Sequence, residues 1–167
     1  MNGNNTALAA ESGNAAAAGR ELSVLFEAAD ITLAVPYCRV REITAYSRPV
    51  PVPRAPAYLK GIINYCGQVC PLVSISAAGG VPEKPASDRT RIIMLEAPAD
   101  SSALIGLIAE NFLGSVGFAP DAVLPYEGPS GGLLKPCITG IVHLKHGSAL
   151  VFRPYVFLET LDHICLK

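Results

Sequence analysis

A chain of 167 residues, half of them hydrophobic and only 16% charged, is long enough to bury a core and leaves apolar surface for a partner. Its formal charge of -1 gives no electrostatic footprint for nucleic acid. Residues 103–118 are the best candidate for direct membrane insertion, but Glu110, Asn111 and several glycines break the uninterrupted apolar run of about 18 residues that a span needs.

Residues 1–20 are mostly Asn, Ala, Gly and Ser, with no cationic start before an apolar run. They read as a disordered N-terminal arm rather than a secretory signal, which places the chain in the cytoplasm with reduced thiols. Residues 22–26 and 31–35 are short β-rich runs that predict a hairpin. In the next stretch Tyr37, Val40 and Ile43 stand three apart behind Pro36, a spacing that predicts one helical turn. Prolines at 49, 51, 53 and 56 make residues 47–56 an extended surface connection. Residues 57–75 predict a strand, a turn and a second strand. A polar linker follows over 79–90, and strands are expected at 91–96 and 103–109. Residues 121–132 are loop-rich, the last strand is expected at 150–152, and apolar positions 155, 158, 161 and 164 predict a closing helix over 154–166.

One phrase occurs twice. Tyr58-Leu59-Lys60-Gly61-Ile62-Ile63-Asn64 returns in outline as Cys137-Ile138-Thr139-Gly140-Ile141-Val142-His143, each copy leading to a glycine and an apolar strand. Short strands with Gly and Pro turns, and no helical pattern between most of them, predict an all-β chain with a few short helices. The repeat divides it into two small barrels, one over 21–78 and one over 91–153, within a single unit spanning 21–166.

Chemistry is hard to find. Cys66, Cys70, Cys137, His143, His146, His163 and Cys165 are soft ligands, but no tight Cys-x-x-Cys knuckle pairs them, and Cys70 sits inside an apolar strand. No metal site, cofactor or catalytic residue is predicted. Cys66 would need a histidine base that no spacing supplies, and Glu42 and Glu110 stand alone among apolar neighbours. The pattern favours a binding protein over a thiol enzyme built on Cys66. A stand-alone β-barrel ligand-binding module is the alternative reading.

Val40-Arg41-Glu42-Ile43, then the prolines, then the run from Tyr58 through Asn64-Tyr65-Cys66-Gly67 to Pro71-Leu72-Val73 resembles the CheW family of chemosensory coupling proteins. Gly106-Leu107-Ile108-Ala109-Glu110 and Ile138-Thr139-Gly140-Ile141 resemble phrases of its second half, so the resemblance covers about residues 21–166. It implies two five-stranded barrels packed side by side and a non-enzymatic adaptor between the cytoplasmic tips of methyl-accepting chemoreceptors and the regulatory domain of a CheA-type histidine kinase, at membrane receptor arrays. By resemblance the partner contacts fall on Val40, Arg41, Glu42, Ile43, Asn64, Tyr65, Cys66, Gly67, Leu107 and Glu110. The chain departs from the family phrase in three places, one of them Glu110, which stands for the family's aspartate. Cys66 stands where the family usually has arginine, and Ser74-Ile75-Ser76 replaces aspartate-leucine-arginine, which implies an auxiliary or specialised paralogue.

Overall fold

The computed structural model describes residues 19–96, 104–128, 132–157 and 159. Among the described residues eleven strands follow in chain order. They are β1 (Glu21–Ala28), β2 (Ile31–Pro36), β3 (Val40–Ala45), β4 (Leu59–Tyr65), β5 (Gln68–Ser74), β6 (Arg91–Glu96), β7 (Leu104–Ala109), β8 (Asn111–Phe118), β9 (Val123–Leu124), β10 (Ile138–Leu144) and β11 (Gly147–Phe152). A single helical turn, α1 (Ile75–Ala78), follows β5, its first turn capped by Ser74 Oγ accepting from Ala77 N at 3.2 Å.

The strands form two sheets. One has the order β8-β1-β2-β11-β10-β9 and the other β3-β6-β7-β5-β4. The expected mainly-β architecture of two small subdomains is therefore present, with the two-residue β9 added to the first sheet.

The sheets do not divide the chain at 79–90, however. Residues 40–109 make one sheet, and the strands before and after them make the other. Local hairpins were legible, but the pairings that complete each sheet are parallel, β5 with β7 and β11 with β2. Parallel pairing joins strands distant in sequence and leaves no turn signature. The chain passes between the sheets only at residues 37–39 and at Glu110.

Alternation sorts the side chains into layers. Val24, Phe26, Leu33, Val35, Leu150 and Phe152 of the first sheet meet Val73, Ile93, Leu95, Ile105 and Leu107 of the second in one central core. On the far face of the second sheet Cys70, Leu72, Ile92 and Met94 form a separate cluster, and Ala34, Phe118, Val142 and Ala149 do so on the first. Fully buried Phe26, Phe152 and Phe157 each stabilise the fold by about 1.5–3 kcal/mol. Residues 154–157 begin the expected closing helix, and Phe157 meets Phe152 at 5.5 Å between centroids with a 59° tilt. Residues 158 and 160–166 of that helix lie outside the described residues, as does the arm up to residue 18.

The helical turn expected from Pro36 is confined to Tyr37–Arg39. From Val40 onward a ladder with β6 is on offer, and the β-branched Val40, Ile43 and Thr44 take it.

Candidate partner-binding site

Two of the sequence-predicted segments meet, although they sit on strands at opposite ends of the second sheet. Glu42 lies on β3 and Tyr65 on β4, the two edge strands, and the Tyr65 phenol donates a hydrogen bond to Glu42 Oε2. The sheet thus curls until its edges touch across this pair. The Tyr65 ring packs beside the Cys70, Leu72, Ile92 and Met94 cluster. Its phenol pKa is raised, first by the hydrogen bond to Glu42, then by burial and by the carboxylate's charge.

Beyond Tyr65 the chain reverses in two residues, since Tyr65 pairs with Gln68. Cys66 and Gly67 both take left-handed backbone angles, φ 50° and 84°, as a two-residue hairpin turn of the primed kind demands. Asn64 Oδ1 accepts from Gly67 N at 2.9 Å and braces the turn. Asn64, Cys66 and Gly67 are exposed.

On β3, a register shift between Val40 and Glu42 displaces Arg41 from the ladder. The Arg41 guanidinium reaches Glu96 Oε1 at 3.4 Å. Val40 and Ile43 are half-buried and pack against the central core, so their apolar stripe serves the fold.

Leu107 does not join the site. Its side chain is 0% exposed in the central core, on a strand with neighbours on both sides. Glu110 has a different task too. Its Oε1 accepts from Ser76 Oγ at 2.6 Å and from Ala29 N at 3.3 Å, and its Oε2 meets Lys84 Nζ at 3.2 Å. Lys84 also reaches Asp30 Oδ1 at 2.5 Å, and Ser76 Oγ accepts from Ala29 N at 2.9 Å. Where the resemblance expects an arginine, Ser76 thus binds an acid directly, and Lys84 from the polar linker supplies the cation. The network secures the turn between β1 and β2, whose Ala29 and Asp30 are themselves left-handed at 56° and 59°. None of the contacts of Glu110 among the described residues is with 40–43 or 64–67.

The sequence reading missed a row of apolar side chains, two of them exposed and two half-buried. Val50 forms a two-bond bridge with Ile62 on the outer edge of β4, and Ile62 pairs in turn with Pro71. One step along, Asn64 pairs with Val69. Paired residues share a face, so Val50, Ile62, Pro71 and Val69 line one side of this barrel, with Val50 64% and Val69 69% exposed. The proline-rich segment can lie this close only because residue 61 is glycine. The signal lies in the alternation of valine and proline over 49–53, where the prolines mark a connection and the valines between them a strand edge.

Cys38 and Cys66 are exposed, while Cys70 and Cys137 are buried. Burial raises both buried thiols, Cys137 to about 11, and the charge of Cys66 adds to the effect on Cys70. Among the described residues no three His, Cys, Asp or Glu side chains gather to hold a metal, and no helix is long and apolar enough to cross a membrane. His163 and Cys165 lie outside the described residues.

The sequence profile of the CheW-like domain matches residues 23–159. The chain belongs to the CheW-like domain family. It is 37% identical over 92 residues to the chemotaxis protein CheW of Rhizobium meliloti (strain 1021), a match that covers 55% of this chain and 57% of that relative, just over half its length. A probable chemotaxis protein CheW of Rhizobium etli is 28% identical over 142 residues, covering 84% of this chain and 89% of its own. Protein PilI of Pseudomonas aeruginosa is 24% identical over 124 residues, with 74% and 67% covered. Among solved structures, the scaffolding protein TtCheW of Thermoanaerobacter tengcongensis superposes with a TM-score of 0.73 at 18% identity, covering 83% of this chain and 87% of that one. At that identity the likeness concerns the fold. It agrees with the two-sheet architecture of this CheW-like chain.

Proposed function

We propose that the chain is a non-enzymatic, cytoplasmic adaptor of a chemosensory array, coupling methyl-accepting chemoreceptors to a CheA-type histidine kinase. The observation that carries this reading is the row of exposed Val50 and Val69 with half-buried Ile62 and Pro71 on a CheW-like fold. Exposed apolar patches flanked by polar groups mark protein contacts. Here Lys60 and Arg54 supply polar neighbours in sequence, and Asn64 shares the face of Val69.

The mode of contact follows from the backbone. Val50 turns both its N–H and its C=O toward Ile62, so Pro49 and Pro51 point the other way. Neither proline has an N–H to donate, and the outer edge is closed to strand addition. A partner must therefore pack on the side chains. The regulatory domain of the kinase is the partner for this face, and the receptor tip is the partner for the Glu42 and 64–67 segments. Cys66 and Ser76, at positions where the family carries arginine, support a specialised paralogue with its own partner set.

Calorimetric titration with the regulatory domain of the cognate kinase, and separately with the receptor tip, tests the reading. Micromolar or tighter binding to both is expected. Binding to neither would reject the adaptor and favour a barrel with some other ligand.

A further inference from the structure

Glu42 is an exposed carboxylate whose hydrogen-bond donor among the described residues is a neutral phenol. Among the described residues no cation pairs with Glu42, and the basic side chains of its own strand and of β4 reach other acids, Arg41 to Glu96 at 3.4 Å and Lys60 to Glu83 at 2.6 Å. The turn beside it, Asn64, Cys66 and Gly67, carries no cation, and Cys66 is too short to reach as an arginine would.

We propose that Tyr65 is the positioning residue that presents Glu42 to the partner, and that the partner answers with an arginine or lysine. The inference rests on the adaptor reading and names its polar anchor. Tyr65 suits the role because its ring is held against the interior cluster while its hydroxyl emerges at the seam between β3 and β4. A donor fixed in this way restrains Glu42 to one arrangement before binding, which lowers the ordering cost at the interface. A phenol leaves the full negative charge in place, whereas a lysine or arginine in the same position would cancel it. One carboxylate oxygen is taken by Tyr65, and the other remains for an ammonium or guanidinium group. An acidic residue on the partner would be repelled, so the pair selects among receptors by charge.

The test is a double-mutant cycle read by titration of the full chain with the receptor tip. Tyr65→Phe keeps the ring and its packing and deletes the donor, and Glu42→Gln keeps the shape and deletes the charge. We expect Glu42→Gln to weaken binding about tenfold at low salt and much less at 0.5 M salt, because a charge contact is screened. Tyr65→Phe should weaken it three- to fivefold with the melting temperature unchanged, and the double variant should bind like Glu42→Gln alone. Fully additive losses would show that Tyr65 does not act through Glu42, and a Glu42→Gln variant that binds normally would remove the anchor. Either overturns the inference while leaving the adaptor standing. Losses confined to the kinase domain would overturn the assignment to the receptor. Failure of the unaltered chain to bind either partner rejects the adaptor itself.

Discussion

Gly61 passes so close to Val50 that a β-carbon built on it would sit 2.2 Å from the Val50 carbonyl oxygen. The same relationship recurs in the other sheet, where a β-carbon on Gly140 would stand 2.5 Å from the Leu124 oxygen. Both glycines sit at a register shift, between Leu59 and Gly61 and between Ile138 and Gly140. The repeated phrase in the sequence is thus a repeated device, a strand whose glycine admits a short extra strand along its edge.

Gly61 adds a left-handed φ of 141°, which an L side chain tolerates poorly. Gly61→Ala should cost more than about 1 kcal/mol and lower the melting temperature by roughly 2–4 °C for each kcal/mol lost. Gly140→Ala, with steric conflict but no left-handed φ, should cost less. Thermal melts of the two variants check the order, and equal melting temperatures would refute it.

The network around Glu110 should show a clear ranking in urea. Glu110→Ala strands the Ser76 hydroxyl and leaves the Ala29 amide with Ser76 Oγ alone, and losing bonds to a charged group costs about 1.5–3 kcal/mol. Lys84→Ala removes a side chain that is 57% exposed, and exposed ion pairs contribute about 0–1 kcal/mol. A larger loss for Lys84→Ala than for Glu110→Ala would mean that the linker, not the acid, organises this corner.

Val50→Asp and Val69→Asp should leave stability nearly unaltered, since both side chains are mostly solvated, and should weaken binding of the kinase regulatory domain at least tenfold. Tyr37→Asp, altering an exposed ring next to the receptor segment, should spare the kinase. Isothermal titration separates the two surfaces, and a kinase affinity indifferent to Val50 and Val69 would move the kinase contact elsewhere.

The buried thiols give a pH signature. Cys137 is raised in the fold from its ordinary 9.0 to about 11, so burial favours the neutral thiol. The stability that this neutral thiol brings is complete below about pH 9 and is lost as pH rises through about 11. Cys137→Ala should flatten that alkaline decline in urea midpoints. At pH 8, iodoacetamide should label Cys38 and Cys66 in the native chain and leave Cys70 and Cys137 intact. Rapid native labelling of Cys137 would contradict the buried placement.

Hairpins were legible because alternation and turn residues are local. Residues 22–35 and 57–75 show both, and β1, β2, β4 and β5 lie where those signals point. Strand β8 escaped notice because Gly114, Ser115 and Gly117 interrupt its apolar pattern, and its register shift against β1 leaves Leu113 exposed. The division into sheets was illegible for a different reason. Parallel partners such as Val73 and Leu107 are set by packing across the molecule, with no local mark in either strand. At the site, Glu42 and Tyr65 were each picked out by resemblance, but their contact depends on closure of the sheet, which no spacing reveals. Leu107 lies in the core and Glu110 at a neighbouring turn, which the family phrase does not reveal, because it marks positions without saying which way a side chain faces.

The two crossings at residues 37–39 and Glu110 also order the birth of the molecule. As synthesis proceeds from the N-terminus, all five strands of the second sheet have emerged once Ala109 clears the ribosome, and their partners are within 70 residues of one another. Strand β2 must wait for β11, more than a hundred residues later, before its parallel neighbour exists. The strands of the inner unit can therefore all be present while β1 and β2 still lack Leu150 and Phe152 of their core. Exposed apolar hairpins of this kind are prone to aggregate, and in the finished fold it is Ile93, Leu95 and Leu107 of the inner unit that cover this one.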